Sequence, residues 1–198
     1  NVKYLIKKDV KIIVIACGTA TSQTIDILRQ KFEIPIIGII EPTVEYIKEN
    51  KYKNIGVIAT EGTIKSRAWE NKLKEKEPDI KVISKACPML ATIAEEGRAT
   101  GVEGKKAIKE YMQPFKEKGI DKIILGCTHF PIYEQLIKDE FKYKIELINT
   151  GKTVSIYLKK LLKERELCSD IKKGRIEINL TKEEKNFSKI AQNILLCR

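Results

Sequence analysis

The sequence predicts an α/β protein built on parallel sheets. Short apolar runs alternate along the chain with longer stretches whose apolar residues recur at helical spacing. The apolar runs are nearly continuous, which is typical of strands that helices cover on both faces. Repeated strand–helix–strand order requires crossover connections, and these join parallel strands.

Six strands are predicted in order, each a short run rich in Ile, Val, Leu and Ala. They are expected over residues 11–16, 34–40, 54–59, 80–86, 121–125 and 144–148. Helices are expected over residues 20–31, 43–49, 63–76, 89–96, 104–118, 132–141, 154–166 and 183–196. Pro88 and Pro131 suit first helical turns, and Gly97 and Gly119 suit helix ends.

Composition excludes several classes of protein. With 198 residues, 42% of them hydrophobic and 33% charged, the chain has enough apolar material for a core and is neither disordered nor membrane-like. The net charge of +11 comes mostly from lysines spread along the chain, with few arginines and no long basic run. We therefore expect neither a nucleic acid nor a membrane as a partner.

Five cysteines stand at positions 17, 87, 127, 168 and 197, an odd number without CxxC spacing. This spacing argues against a disulfide framework and a zinc site, and the single histidine argues against a His-rich metal site. We expect free thiols, a cytoplasmic location and no metal.

Two segments, residues 11–19 and 122–129, follow the same pattern. Each is a buried strand that leads into a cysteine, then a threonine, then a helix. We therefore predict two similar parallel-sheet α/β domains with the active site in the cleft between them, because ligands bind at the carboxyl ends of parallel strands. The first domain would comprise residues 1–41 and 149–198, and the second residues 42–148. The strand near residue 144 is expected to join those near residues 11 and 34 in the first domain.

Cys17 and Cys127 both lie at predicted strand-to-helix junctions, where a helix N-terminus lowers a thiol pKa from about 8.5. Two thiols facing each other across a cleft suit the inversion of a carbon stereocentre. One thiolate removes the α-proton from one face, and the other thiol delivers a proton to the opposite face. Thr19 and Thr128 could help to hold a carboxylate. The alternative for each cysteine alone is a small buried apolar residue, which we retain for Cys87, Cys168 and Cys197.

Other residues near these ends carry open alternatives. His129 could support the thiolate, donate a proton, serve a Cys–His hydrolase or cap a helix. Thr60, Thr63 and their neighbours could bind an anion or simply cap a helix. Glu95 and Glu96 would be solvated on composition alone.

These residues resemble the motifs of glutamate racemases. Residues 16–21 (ACGTAT) resemble the family's ACNTA motif, and residues 126–131 (GCTHFP) its GCTH[YF]P motif. Residues 55–66 resemble the IGVIGT-x-x-TI-x-S segment, and residues 86–97 the ACP…VEEG segment. The resemblance runs from about Leu5 to the C-terminus.

The resemblance implies a cofactor-independent racemase that interconverts L- and D-glutamate and supplies D-glutamate for peptidoglycan synthesis. It implies catalytic roles for Cys17, Cys127, His129 and Glu95, with Glu96 as the near alternative to Glu95. It also implies substrate-binding positions, which are Gly18, Thr19, Thr60, Thr63 and Thr128. Glutamate is the expected small-molecule substrate, and a second copy of the chain is a candidate partner in a homodimer.

The chain departs from the family pattern at several points. The family's N-terminal strand and DSG-x-GG motif have no counterpart, so we expect an N-terminally truncated form. Gly18 replaces the usual Asn and would remove an amide that binds substrate. Thr43 stands where Gly is common, and Asn149-Thr150 replaces a frequent Asp-Ser. A racemase of aspartate or another acidic amino acid, an inactive α/β remnant and a Cys–His hydrolase are the alternative functions.

Overall fold

A computed structural model of the chain describes residues 1–171 and 174–181. The predicted helix over residues 183–196 lies outside the described residues. Asn1–Leu167 form one compact unit, and Cys168–Arg198 form a second. The described residues of the second unit contain neither helix nor strand. The expectation of a buried side chain is confirmed for Cys87 and wrong for Cys168, which is exposed, and Cys197 lies outside the described residues.

The first unit has the alternating strand and helix order that the sequence predicts, and the α/β class is confirmed. Its strands are β1 Ile13–Ile15, β2 Ile36–Gly38, β3 Asn54–Ala59, β4 Lys81–Ala86, β5 Lys122–Leu125 and β6 Glu146–Asn149. Its helices are α1 Val2–Lys7, α2 Gly18–Lys31, α3 Ile40–Glu49, α4 Glu61–Lys65, α5 Ala68–Lys76, α6 Pro88–Glu95, α7 Val102–Glu117, α8 Glu134–Asp139 and α9 Thr150–Glu164. A 3₁₀ turn, Phe130–Tyr133, precedes α8.

The strands form two parallel sheets. Strands β1 and β2 pair in a small sheet, in the register Ile13 opposite Ile36. The larger sheet has the order β4-β3-β5-β6, and every pair in it is parallel. The expectation that the strand near residue 144 joins those near residues 11 and 34 is wrong, because Glu146 pairs with Lys122 of β5.

The larger sheet is buried on both faces, which explains its continuous apolar strands. Because side chains alternate across a strand, Ile58, Ile123 and Leu125 face one side with residues of α6, α7 and the 3₁₀ turn. Ile55, Val57 and Ile124 face the other side with residues of α3, α5 and α9. The two layers hold the carboxyl ends of β3 and β5 in fixed positions.

The structure differs from the predicted helices at two points. The helix expected over residues 63–76 is two helices, α4 and α5, separated at Arg67. This residue has φ of 55°, in the left-handed region that a β-carbon disfavours. The short helix α1, with no buried residue, was not predicted.

Within residues 1–171 and 174–181, no helix combines the length and apolar character needed to cross a membrane.

Candidate functional site

The strand order predicts a crevice at one end of the larger sheet. After β3 the chain runs to β4 on one side, and later returns to β5 on the other side of β3. In open α/β sheets such a reversal leaves a crevice outside the carboxyl ends of the two central strands. Thr60 directly follows β3, and Cys127 lies two residues beyond β5.

The small sheet brings Cys17 to the same end. Cys17 follows β1, precedes the first residue of α2 and is exposed. The next residue, Gly18, lies against the backbone before Cys127: a β-carbon built on Gly18 would be 2.4 Å from the carbonyl oxygen of Gly126. The two cysteine-bearing junctions that the sequence singled out therefore meet in the fold.

Cys127, His129 and Glu95 form a chain of polar contacts. The Cys127 Sγ lies 3.6 Å from His129 Nδ1. The opposite ring nitrogen, Nε2, lies 3.2 Å from Glu95 Oε1. A carboxylate on one ring nitrogen favours a proton there and orients the other nitrogen toward the sulfur. The imidazole can therefore exchange a proton or hydrogen bond with the thiol.

The structure distinguishes Glu95 from its neighbour Glu96. Glu95 is the last residue of α6 and contacts His129, whereas the Glu96 carboxylate accepts from Arg98. The Glu95 side chain is 65% exposed, so neither glutamate is buried in the crevice. The expectation that Glu95 is simply solvated is correct for its exposure, but it overlooks the contact with the ring.

Burial raises the pKa of the Cys127 thiol, and the charges of Cys17 and Glu95 raise it further. Hydrogen bonds from the His129 backbone N–H and the Thr128 hydroxyl oppose this shift by stabilising the thiolate. The net effect keeps Cys127 as a thiol over a wider pH range.

Three threonine hydroxyls cluster beside the start of α2. Thr19 Oγ1 lies 2.8 Å from Thr60 Oγ1 and 3.1 Å from Thr63 Oγ1, and the last two are 2.9 Å apart. Neither Thr60 nor Cys17 caps its helix through its side chain among the described residues. Thr60 does occupy the N-cap position of α4, but its hydroxyl contacts the other two threonines instead of the helix backbone. The cluster joins residues 41 and 44 positions apart, and this convergence was not derivable from spacing.

His129 precedes the 3₁₀ turn, but in the described part of the chain its side chain makes no cap hydrogen bond. His129 thus occupies the N-cap position of this turn, while its ring contacts Cys127 and Glu95 instead of the turn's backbone. Thr128 is exposed beside Cys127 and is not part of the threonine cluster.

Sequence analysis missed two residues that support this end of the sheet. The Tyr133 hydroxyl donates to the Leu90 carbonyl at 2.7 Å, which ties the turn after His129 to helix α6, the carrier of Glu95. Trp69, 2% exposed, places its ring nitrogen 3.1 Å from the point where a Gly126 β-carbon would be. In the sequence only their aromatic side chains could have pointed to a supporting role at the site, and an aromatic side chain is just as typical of a core residue.

Comparison with known proteins gives a consistent family. The family model described as Asp/Glu/Hydantoin racemase matches residues 1–154. A glutamate racemase of Persephonella marina is 37% identical over 94% of this chain and 70% of its own length. One of Aquifex pyrophilus is 40% identical over 81% of this chain and 62% of its own. The chain thus spans about two thirds of the length of these relatives.

The solved structures agree. A crystal structure of glutamate racemase from Francisella tularensis, in complex with D-glutamate, matches with a TM-score of 0.90 and 32% identity. The match covers 99% of this chain and 73% of that one.

Proposed function

Since the chain belongs to the Asp/Glu/Hydantoin racemase family, we propose that it interconverts L- and D-glutamate with Cys17 and Cys127 as the two acid/base groups. The observation that carries this proposal is the meeting of two cysteine-bearing strand ends, with the Cys127 thiol in contact with His129. Cysteine residues at the two sides of one crevice are what a two-sided proton transfer needs.

The proposed reaction is balanced with these groups alone. The thiolate of one cysteine takes the α-proton and becomes a thiol, which leaves an electron pair on the α-carbon. That pair then takes the proton of the second thiol on the opposite face, and the second sulfur becomes the thiolate. The next reverse turnover begins from this state, so each cysteine serves as base in one direction and acid in the other.

His129 and Glu95 would support the Cys127 side of this reaction. A positively charged ring stabilises a neighbouring thiolate, and Glu95 in turn stabilises the charge of the ring. When Cys127 acts as acid, the same ring stabilises the thiolate that remains after the sulfur has given up its proton. The geometry of the pair thus serves both directions.

Thr19, Thr60, Thr63 and Thr128 would bind the carboxylates of glutamate, with the backbone N–H groups at Gly18 and Thr19. The three clustered hydroxyls are held together by mutual hydrogen bonds. Thr19 and Thr60 are half-buried and would donate to a carboxylate from the edge of the cluster, whereas Thr63 is buried, and helix α2 presents its positive end there.

The wider proposals follow from the family. We propose that the D-glutamate formed is used in peptidoglycan synthesis, in a cytoplasm reducing enough to keep both thiols free, and that two copies of the chain associate. We also keep residues 1–41 with 149–198, and residues 42–148, as the proposed two domains.

The test is α-proton exchange in D2O, followed by NMR with a reducing agent and without pyridoxal phosphate. L- and D-glutamate and both aspartates are compared. We expect glutamate to exchange and invert, with inversion falling about 10²- to 10⁴-fold in Cys17→Ala and in Cys127→Ala. Cys168→Ala, which removes an exposed cysteine of the second unit, is the matched control and should be unchanged. Turnover of aspartate alone, or full activity in either site variant, would overturn the proposal.

A further inference from the structure

Gly18 occupies a position at which the fold has no room for a side chain. A β-carbon there would lie 2.4 Å from the Gly126 oxygen and 3.6 Å from its carbonyl carbon, and 3.5 Å from Ile39 Cδ1. Contacts below 3.0 Å are essentially never made by a real β-carbon, so any larger residue must displace the backbone on one side. The atom it meets is main-chain oxygen, which cannot rotate away.

The backbone at Gly126 is held in place by its neighbours. The Gly126 N–H donates to the Ile58 carbonyl at 2.8 Å, which continues the pairing of β5 with β3. Beneath it, a β-carbon on Gly126 would itself lie 2.8 Å from the Ile58 oxygen and 3.1 Å from both Ala59 Cβ and Trp69 Nε1. Gly126 therefore has strand β3 and the Trp69 ring packed closely against its own α-carbon.

The α2 side is fixed as well. One turn along from Gly18, the Thr21 hydroxyl donates to the Ile15 carbonyl at 3.1 Å, and the same oxygen accepts from the Ile39 backbone N–H at 3.4 Å. These bonds join the first turn of α2 to the end of β1 and to the residue after β2. Neither partner in the Gly18–Gly126 contact is free to absorb an added atom.

We propose that Gly18 is a positioning residue whose missing side chain lets α2 rest directly on the Gly126 carbonyl, and that this contact sets the separation between the Cys17 and Cys127 thiols. The inference deepens the proposed function and rests on it for its kinetic test. It also changes the interpretation of Gly18: the glycine does not simply lack a substrate-binding amide, because an Asn side chain would collide with Gly126. Restoring Asn at this position should damage the site.

The consequence for catalysis follows from the two-sided reaction. Both sulfurs must reach the same α-carbon, and a misplacement of about 1 Å can cost about 100-fold in rate. A thiol moved out of reach leaves the other able to remove and return the α-proton on its own face. Exchange with retention should therefore survive better than inversion.

The experiment compares Gly18→Ala and Gly18→Asn with Gly174→Ala. Gly174 is the control because it lies in the second unit, outside the proposed site, and a β-carbon there would meet no atom of the described residues within 4 Å. In D2O we expect both Gly18 variants to lose inversion about tenfold or more, with a smaller loss of exchange with retention. Gly174→Ala should retain the wild-type ratio of inversion to exchange.

A second readout does not depend on turnover. Dibromobimane becomes fluorescent once two thiols have displaced its two bromides, so its bridging rate reports the Cys17–Cys127 separation. In a Cys168→Ser/Cys197→Ser background, bridging should slow at least severalfold in Gly18→Ala while single alkylation by monobromobimane is unchanged.

Equal bridging in Gly18→Ala and Gly174→Ala, or higher inversion in Gly18→Asn than in the parent, would refute the role of Gly18. Absence of exchange in the parent chain, with bridging still sensitive to Gly18→Ala, would refute the proposed function and leave the spacing role standing.

Discussion

Replacement of His129 by Asn tests whether the ring works on the Cys127 sulfur. The variant removes the contact at 3.6 Å to the sulfur and the one at 3.2 Å to Glu95, in a side chain that is 35% exposed. A hydrogen bond to a charged group contributes about 1.5–3 kcal/mol. At about 1.36 kcal/mol per tenfold, this predicts a loss of about 10- to 150-fold in kcat/KM.

The direction of reaction supplies a sharper test than the size of the loss. Because the equilibrium constant between enantiomers is one, kcat/KM must fall equally in both directions. The two directions differ in their isotope effects, since the step that uses Cys127 becomes rate-limiting. Where Cys127 removes the α-proton, α-deuterated glutamate should show a larger isotope effect than in the parent. From the other enantiomer, the substrate isotope effect should fall toward one.

The assay measures the initial rate of racemisation of L- and D-glutamate that carry either protium or deuterium at the α-carbon. The loss of the circular dichroism signal of the amino acid reports the rate. Glu95→Gln is the comparison, because its exposed carboxylate should contribute only about 0.2–1 kcal/mol, or at most about fivefold in rate. Unchanged isotope effects in both directions, with kcat/KM within twofold of the parent, would refute the reasoning.

Three further predictions follow from burial. Because burial raises the pKa of Cys127, its thiolate is scarce at neutral pH. The rate of its modification by iodoacetamide should therefore reach half its maximum at a higher pH than for a free cysteine. Exposed Cys17 should be alkylated first, as peptide mass spectrometry after timed quenching would show, and a Cys127 that reacts first at pH 7 would contradict this. In the core, Phe115→Ala should lower the free energy of unfolding by about 3–5 kcal/mol in urea titrations, because Phe115 is fully buried. Gly56→Ala should lower the free energy of unfolding by about 1–3 kcal/mol through overpacking, since its β-carbon would lie 2.8 Å from the Phe115 ring. If the losses of Gly56→Ala and Phe115→Ala simply add in the double variant, that contact does not explain the effect.

The strands were predictable because burial on both faces demands continuous apolar runs, and those runs are visible in the sequence. Strand β3 has the predicted bounds, 54–59. The break at Arg67 was not predictable, because a left-handed arginine carries no signal of the kind that Gly or Pro provides. The placement of β6 beside β5 was missed for another reason: periodicity identifies a strand but does not specify its neighbour.

For the site, the sequence indicated which residues could carry chemistry, and the fold determined which of them meet. The contact of Glu95 with His129 depends on how α6 packs on the turn after Cys127, and no spacing in the chain encodes that packing. The close approach of Gly18 to Gly126 likewise depends on how the two sheets come together.

The unequal sheets give the two thiols supports of unequal local stability. Cys127 follows a central strand whose Ile123, Ile124 and Leu125 are fully buried, so we expect the amides of this strand to exchange only through large-scale unfolding. Cys17 follows a three-residue strand in which Val14 is 37% exposed, and we expect such a strand to open through local fluctuations of lower free energy. One cysteine of the proposed pair would then follow a slowly exchanging strand, and the other a faster one. Partial unfolding would separate the pair while most of the secondary structure remained intact.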